Sequence, residues 1–265
     1  MPRNGSPGVI CDQTRPGGPL ADLQSLGIKI FADGADLAGI EKMNAQPFIA
    51  GFTTNPTLMR KAGVSDYRAF AMDVLSIVRD KPVSFEVFAD DFLEMERQAM
   101  EIASWGRNVF VKIPVTNTRR EPSTKLIRRL ASARVQQNVT AIMTSRQVEE
   151  VSAALGGSTS SFISIFAGRI ADTGTDPLPI VSDAVECASR FNSQSIIWAS
   201  PREVLNIFQA DAIGCHVITV THDLLAKLNL LGKDLNDYSQ ETVQMFFDDA
   251  RRAGYSLSQP KRAVA

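Results

Sequence analysis

A lysine within an apolar strand pattern is the strongest chemical signal in this sequence. Lys112 lies in the segment VFVKIP (Val109–Pro114), whose other residues are all apolar. Burying an ammonium group costs so much free energy that a lysine in such a place tends to lose its proton. The resulting neutral amine attacks carbonyl carbons and forms Schiff bases. A lysine that reaches solvent at a sheet edge, or one that is paired with Glu86 or Asp33, would produce the same pattern.

Polar side chains also stand near the ends of the other apolar runs of the chain. Asp33 ends the first run, Asn55 the second and Glu86 the third, before Lys112 near the end of the fourth. Residues two apart on a strand point the same way, so further pairs are predicted to share a face. These later residues are Asn138 with Thr140, Ser164 with Phe166, and Ser200, which closes the seventh run. One polar group per strand at a common height would form a ring around the mouth of a barrel.

Several of these residues also have a simpler structural interpretation. Acids that follow strands often cap the next helix, although Asp36 is the better cap candidate and leaves Asp33 free for another function. The segment Thr53–Pro56 (TTNP) is also typical of a turn in which proline begins a helix. Arg169 and Arg202 follow the sixth and seventh runs, where barrels often bind phosphate through guanidinium groups. Each arginine alone is equally typical of a surface salt bridge.

The elements that must position these residues alternate in type along the chain. Amphipathic helical patterns separate short apolar runs that are rich in β-branched residues. Eight alternating units in about 240 residues match a single (β/α)8 TIM barrel, an α/β fold, in size and count. An open doubly wound sheet is the alternative, because periodicity does not show closure. The predicted strands are Ile28–Asp33, Phe48–Asn55, Pro82–Val87, Val109–Pro114, Val135–Ile142, Phe162–Ala167, Ser195–Ser200 and Ala212–Val220.

One catalytic domain accounts for most of the 265 residues. Residues 1–26, which are rich in proline and glycine, are interpreted as an N-terminal arm. Residues 27–254 are predicted to form the barrel and residues 255–265 a polar C-terminal tail. A final helix is expected within residues 241–254 (ETVQMFFDDARRAG).

The composition argues against several functional classes. With 28 basic and 29 acidic residues, the formal net charge of −1 gives no general attraction to nucleic acid or to anionic membranes. No apolar run reaches the roughly 18 residues that a membrane span needs. Three scattered cysteines and two histidines argue against a disulfide framework and a metal site. Neither a Gly-x-Gly-x-x-Gly motif after a strand nor a P-loop is present. We therefore expect a soluble protein of the reduced cytoplasm that uses no nucleotide.

Taken together, the motifs resemble those of the transaldolase family in its short bacterial form. The matching segments follow the family's order and span Phe31 to Glu203: FADGAD, GFTTNPTL, SFEV, VKIP, QNVTAI, SIFAGRI and WASPRE. VKIP, TTNP and FxGRI are specific in combination, although each alone is not. The resemblance implies a class I, Schiff-base mechanism in a (β/α)8 barrel, with no metal, no organic cofactor and a homo-oligomeric assembly.

The resemblance also implies a function for each matched residue. Lys112 would attack the C2 carbonyl of a ketose phosphate. Glu86 and Thr140, through a water molecule, would carry the proton transfers of dehydration, and Asp33 would take the C4 hydroxyl proton. The implied substrate-binding residues are Thr53, Asn55, Asn138, Ser164 and Phe166 near the three-carbon unit, and Arg169, Ser200 and Arg202 at the distal phosphate.

Two other functions fit the same pattern. Close relatives that act as aldolases release free dihydroxyacetone, but they tend to carry Gln in place of Glu86 and Tyr in place of Phe166. Both residues of this chain therefore favour group transfer, with fructose 6-phosphate or sedoheptulose 7-phosphate as the expected donor. Gly34 replaces the family's usual Thr and leaves the substrate open, including that of a specialised pathway. A barrel that only binds sugar phosphates is the third interpretation, against which Lys112, Asp33 and Glu86 argue.

Overall fold

The computed structural model describes residue 23 and residues 25–257. Within them, eight parallel strands pair in chain order and the last strand pairs with the first, so the sheet closes into a barrel. This is the expected (β/α)8 TIM barrel, and the closure excludes an open doubly wound sheet. The strands are β1 (Lys29–Asp33), β2 (Ile49–Thr53), β3 (Val83–Glu86), β4 (Val109–Pro114), β5 (Gln137–Ile142), β6 (Ser161–Ile165), β7 (Gln194–Trp198) and β8 (Val217–Thr221).

The predicted strand bounds hold best at β4 and worst at β8. The segment VFVKIP is β4 from its first residue to its last. The eighth strand was predicted to begin at Ala212, but that residue still belongs to a helix. Gly214 then takes a left-handed φ of 71°, and β8 begins only at Val217. The prediction was wrong there because a short apolar run in the sequence does not distinguish the end of a helix from the start of a strand.

Helices follow the strands and several begin at a side-chain cap. Asp36 caps the helix that begins at Leu37 by accepting the Gly39 N–H at 2.8 Å, as predicted. Asp66 and Asp91 cap the helices that begin at Tyr67 and Phe92 in the same way. A 3-10 turn over Lys227–Leu230 follows the last of these helices. The helices are α1 (Leu37–Asn44), α2 (Pro56–Lys61), α3 (Tyr67–Ile77), α4 (Phe92–Ala103), α5 (Thr124–Ser132), α6 (Ser145–Leu155), α7 (Ala167–Ala171), α8 (Leu178–Ala188), α9 (Leu205–Ala212) and α10 (His222–Ala226).

Aromatic rings fill the barrel one layer below the polar ends of its strands. The Phe162 ring centroid lies 5.5 Å from that of Phe31 and 4.4 Å from that of Phe110, and all three residues are buried. A Cβ at position 51 would lie 2.6 Å from the Phe31 ring, so β2 carries Gly51 where that ring enters. Each phenylalanine precedes a predicted polar site residue by two positions and shares its strand face. The rings therefore form an apolar floor beneath the site.

Residues 229–257 belong to a second compact unit. Its main element is α11 (Leu235–Arg252), none of whose residues is buried. The helix begins where the Asp234 carboxylate accepts the N–H groups of Asn236 and Asp237. The predicted start at residue 241 was therefore wrong, because the cap at Asp234 initiates the helix earlier than its apolar pattern.

The predicted domain limits fall largely beyond what the structure describes. Almost all of the proposed arm (1–26) and most of the tail (255–265) lie outside residue 23 and residues 25–257. The domain limits stay predictions. Among the described residues, no helix combines the length and the apolar character that crossing a membrane requires.

Candidate active site

The pairing of β3, β4 and β5 brings three predicted site residues side by side. Glu86 pairs with Lys112, and Lys112 pairs with Asn138. Asp33 ends β1, which lies between β2 and β8. The carboxyl ends of all strands of a parallel barrel lie at one end, so these four residues open into one mouth. Glu86 and Asn138 are buried, whereas Lys112 and Asp33 are half-buried.

The Lys112 side chain reaches the backbone that follows β2. Its Nζ donates a hydrogen bond to the Thr54 carbonyl oxygen at 2.5 Å. Burial raises the pKa of both Asp33 and Glu86, and both carboxyls lie close enough to Lys112 for its charge to oppose that rise. An amine held by a backbone carbonyl, with two carboxyls at hand to move protons, is suited to Schiff-base formation.

Asp33 is surrounded by hydrogen-bond donors. The Thr53 hydroxyl donates to Oδ1 at 2.8 Å, and Asn55 Nδ2 donates to Oδ2 at 3.1 Å. The Thr219 hydroxyl lies 2.5 Å from that of Thr53 and completes the chain of donors. Burial raises the pKa of Asp33, while the Lys112 charge and the two hydrogen bonds oppose that shift. Donors on both oxygens favour the ionised carboxylate, so Asp33 is arranged to accept a proton.

Glu86 is more deeply buried than Asp33 but lacks comparable donors. Its Oε2 lies 2.8 Å from the hydroxyl of Thr54, which is itself 2.9 Å from the Ser84 carbonyl oxygen. Both contacts are satisfied when Glu86 carries a proton and donates it to Thr54, which then donates to Ser84. Burial raises the pKa of Glu86. The Lys112 charge opposes that shift, as does the Thr54 hydroxyl when it donates to the carboxylate, and the Asp33 charge adds to it. The surroundings of Glu86 therefore suit a proton donor.

Two buried oxygen atoms of predicted catalytic residues have no hydrogen-bond partner among the described residues. They are Glu86 Oε1 and Thr140 Oγ1. Thr140 pairs with Pro114 at the end of β4. The next residue, Ala141, has a left-handed φ of 64° where the register between β5 and β6 shifts. Buried polar groups are nearly always bonded in native proteins, so these two oxygens are candidates to bind a substrate or a solvent molecule.

Two serines hold the side-chain amide of Asn138. Its Nδ2 donates to Ser84 Oγ at 3.0 Å, and its Oδ1 accepts from Ser164 Oγ at 2.7 Å. All three residues are buried. Asn138 and Ser164 were predicted to contact the three-carbon unit, and the structure brings them together. Ser84 was missed, because a serine within an apolar run carries no pattern of its own.

Asn55 begins a helix, as the simpler interpretation of the TTNP segment predicts, and also contacts Asp33. Its Oδ1 accepts the Leu58 N–H at 2.9 Å and caps α2, whose first turn contains Pro56. Its Nδ2 donates to the Asp33 carboxylate at the same time. One amide therefore begins a helix and orients a carboxylate.

The two predicted phosphate-binding arginines lie beyond β6 and β7 and are both exposed. Arg169 Cζ lies 5.6 Å from the Phe166 ring centroid, a cation–π contact. Arg202 forms a two-point ion pair with Asp172, in which Nε and Oδ1 are 3.1 Å apart. Within residues 25–257, Arg169 has no carboxylate partner, so its guanidinium is the more available of the two for an anion.

Ser200 turns the chain sharply between β7 and Arg202. Its φ of 59° is uncommon for a residue other than glycine. A Cβ at position 168 would lie 1.6 Å from the Ser200 carbonyl oxygen, so only Gly168 fits beneath this turn.

Phe166 lies one residue past β6, with φ −81° and ψ 61°. The prediction that Phe166 continues the strand face of Ser164 was therefore wrong, because the strand ends before it.

His222 lies beside the site, and the sequence did not predict a catalytic or binding function for it. Its half-buried imidazole packs on the loop after Asp33, where a Cβ at Gly34 would lie 2.7 Å from Cε1 and one at Gly39 2.6 Å. Burial lowers the pKa of His222, although the charges of nearby aspartates oppose the shift. The imidazole occupies the space that a larger side chain at position 34 would need, which explains the glycine there.

The chain is similar to known proteins over most of its length. The family model for transaldolase/fructose-6-phosphate aldolase matches residues 30–260. A probable transaldolase of Thermoanaerobacter sp. (strain X514) is 34% identical over 231 residues, covering 87% of this chain and 100% of that protein. A probable transaldolase of Dehalococcoides mccartyi is 34% identical over 202 residues, covering 76% and 90%. A probable transaldolase of Methanococcus maripaludis (strain C5) is 32% identical over 223 residues, covering 81% and 99%. With a match of this extent, the chain belongs to the transaldolase/fructose-6-phosphate aldolase family.

Proposed function

We propose that this protein is a transaldolase that moves a dihydroxyacetone unit from a ketose phosphate to an aldose phosphate through a Schiff base on Lys112. The observation that carries the proposal is the placement of Lys112, whose Nζ is held on the Thr54 carbonyl beside two differently bonded carboxyls, those of Asp33 and Glu86. The names of the relatives support transfer chemistry. Fructose 6-phosphate and sedoheptulose 7-phosphate are the proposed donors, in the pentose phosphate pathway.

The first half of the reaction forms the Schiff base. Lys112 first gives up its proton to solvent, and the neutral amine then adds to the C2 carbonyl carbon and gives a carbinolamine. Protonated Glu86, acting with Thr140 through a water molecule, supplies the proton with which the C2 hydroxyl leaves as water. The unpartnered Glu86 Oε1 and Thr140 Oγ1 support this assignment.

The second half breaks and remakes a carbon–carbon bond. Ionised Asp33 takes the proton of the C4 hydroxyl, the C3–C4 electron pair moves toward the iminium, and an aldehyde phosphate leaves. The dihydroxyacetone enamine stays on Lys112 until an acceptor aldehyde takes its electron pair, and Asp33 returns the proton. Hydrolysis of the new Schiff base releases the product ketose. The donors that Thr53 and Asn55 direct at Asp33 support its function as the base.

The distal phosphate is proposed to lie at the ends of β6 and β7. Arg169 binds it in this proposal, together with Ser200 and Arg202, while Asn55, Asn138 and Ser164 lie near the hydroxyls of the three-carbon unit. The exposed guanidinium of Arg169 supports this arrangement. Arg202 must loosen its ion pair with Asp172 in order to contribute.

Trapping the Schiff base tests the proposal. Borohydride reduction with fructose 6-phosphate or sedoheptulose 7-phosphate present, followed by peptide mass spectrometry, should show a dihydroxyacetone-sized adduct on the peptide that contains Lys112. Lys112→Met should abolish the adduct. Lys125→Met, which changes an exposed lysine of α5, should leave it intact. Absence of the adduct from folded wild-type protein with both donors contradicts the proposal.

Turnover without an acceptor separates transfer from simple aldol cleavage. A transaldolase stalls after one half-reaction, because the enamine stays on Lys112, and an aldose phosphate restores turnover. Glu86 and Phe166 favour this outcome, since the aldolases tend to carry Gln and Tyr there. Continued release of free dihydroxyacetone without an acceptor would assign an aldolase instead. A cytoplasmic homo-oligomer also stays a prediction, and light scattering of the purified full chain measures its size.

A further inference from the structure

We propose that Tyr67 is a positioning residue of the active site: its hydroxyl completes the β2–β3 ladder at Glu86 and thereby leaves the Thr54 carbonyl oxygen free to hold Lys112. Tyr67 is the first residue of α3 and lies outside the segments that resemble the transaldolases. The inference rests on the proposed function, because it concerns the rate at which Lys112 forms a Schiff base.

The β2–β3 ladder begins regularly. The Phe52 N–H donates to the Pro82 carbonyl at 2.8 Å, and the Thr54 N–H donates to the Ser84 carbonyl at 3.3 Å. Hydrogen bonds of a parallel ladder are evenly spaced and alternate between the strands. The next bond of this ladder would therefore join the Glu86 N–H to the Thr54 carbonyl oxygen.

That bond is replaced by two others. The Glu86 N–H donates to the Tyr67 hydroxyl oxygen at 2.8 Å, and the hydroxyl donates to the Glu86 carbonyl oxygen at 3.1 Å. The Thr54 carbonyl oxygen accepts from Lys112 Nζ at 2.5 Å. The Tyr67 hydroxyl thus bonds both the N–H and the carbonyl oxygen of Glu86. The Thr54 carbonyl oxygen, which would otherwise accept the Glu86 N–H, is left to accept from Lys112.

Aromatic packing fixes where this hydroxyl lies. The Tyr67 ring makes edge contacts with Phe85, Phe88 and Trp105, at centroid distances of 6.2, 4.6 and 5.7 Å. Phe85 precedes Glu86 in β3 and Phe88 follows it beyond the strand end, so the ring contacts the chain on both sides of the hydrogen bonds. The phenol is therefore a rigid support for the end of β3.

Removing only the hydroxyl should misplace both catalytic groups. In Tyr67→Phe, the Glu86 N–H loses its partner, and its next acceptor along the ladder is the Thr54 carbonyl, which Lys112 also uses. The carboxyl of Glu86 and the amine of Lys112 then lose their relative alignment. We expect Schiff-base formation to slow about 10- to 100-fold, the range that an ångström-scale misplacement produces.

The time course of borohydride trapping with fructose 6-phosphate measures this effect in the full-length protein. The rate should fall in Tyr67→Phe, while the final amplitude and the KM for the donor stay at wild-type values. A purely structural tyrosine would lower the amplitude or the melting temperature and leave the rate of the folded molecules unchanged. Tyr255→Phe, which removes the hydroxyl of an exposed tyrosine, is the matched control and should trap at the wild-type rate.

The outcomes separate this inference from the proposed function. Wild-type protein that forms no adduct with either donor contradicts the proposed function itself. A normal adduct in wild type and an equal rate in Tyr67→Phe overturn the positioning inference alone.

Should Tyr67→Phe fail to fold, 4-aminophenylalanine at position 67 provides a second test. It keeps the ring and the donor to the Glu86 carbonyl oxygen but accepts poorly from the Glu86 N–H. An intermediate rate in that variant supports the inference, and a wild-type rate overturns it.

Discussion

The Asp33 side and the Glu86 side of the barrel mouth place two carboxyls in opposite surroundings. Burial raises the pKa of both. At Asp33, however, a hydroxyl and an amide donate to the two oxygens, through Thr53 and Asn55. At Glu86 a single hydroxyl contacts one oxygen, and the other has no partner among the described residues.

The difference shows how one fold separates a base from an acid. The charge of Lys112 acts to lower the pKa of both carboxyls, so it does not distinguish them. The number of hydrogen-bond donors does distinguish the two carboxyls. Donors stabilise the ionised form of a carboxyl, whereas burial without donors stabilises the protonated form. We infer that Asp33 holds the negative charge and Glu86 the proton in the substrate-free protein.

The largest effect is expected from Asp33→Asn. An amide cannot take the C4 hydroxyl proton, so turnover should fall by about 10²- to 10⁴-fold, the usual contribution of a general base. The Schiff base on Lys112 should still form, because Glu86 is intact. Comparison of transfer rates with the borohydride-trapped adduct checks this. Asp36→Asn, at the helix cap three residues away, is the control. Loss of both adduct and transfer in Asp33→Asn would contradict the division of functions.

Glu86→Gln should have a smaller effect and act on the earlier step. The glutamine amide still donates to Thr54 as a protonated glutamate does, but it cannot deliver a proton to the leaving hydroxyl. We expect Schiff-base formation to slow by about 10²-fold, the lower end for a general acid. Rapid mixing followed by trapping measures that rate. The comparison between the two carboxyls fails if Glu86→Gln traps the adduct at the wild-type rate and loses only carbon–carbon cleavage.

The stability advantage of the same variant over wild type should grow as the pH rises. Because the folded-state pKa of Glu86 is raised, wild-type protein loses stability relative to Glu86→Gln as the pH rises from the ordinary glutamate value through that folded pKa. The variant should therefore melt at a higher temperature than wild type at neutral pH. The two should converge below about pH 4, where glutamate is protonated in both states. Melting temperatures of both proteins across this pH range check the direction of the effect. A wild-type protein that becomes more stable relative to the variant as the pH rises would contradict it.

The smallest effect is expected at the loop that follows Asp33. Gly34→Ala would place a Cβ 2.7 Å from the His222 ring, so we expect a loss of about 1 kcal/mol in unfolding free energy, at the low end for overpacking. His222→Ala should relieve the clash, which makes the double variant less destabilised than the sum of the single changes. Chemical denaturation measures all four proteins. Additive losses would show that the imidazole does not set the glycine requirement.

Part of the candidate site could be predicted because its polar residues interrupt apolar strands. The strands that carry Lys112, Glu86 and Asn138 were each predicted from such runs, and the register sets the three residues side by side. The helix cap at Asp36 was predicted from local spacing as well. The starts of β8 and α11 were not, because a cap or a left-handed glycine, rather than the apolar period, sets those boundaries.

The sequence by itself determined the alternation of strands and helices, the polar residue at each strand end and the family resemblance, because these depend on neighbours within a few positions. Only the tertiary structure decided which atoms form hydrogen bonds or ion pairs with each functional group. The Tyr67 hydroxyl on Glu86, the Thr54 carbonyl under Lys112 and the ion pair of Arg202 all join separate elements. Such partners share no spacing in the chain. They meet because closure of the barrel sets strand register, and because each buried polar group must then find a partner within reach.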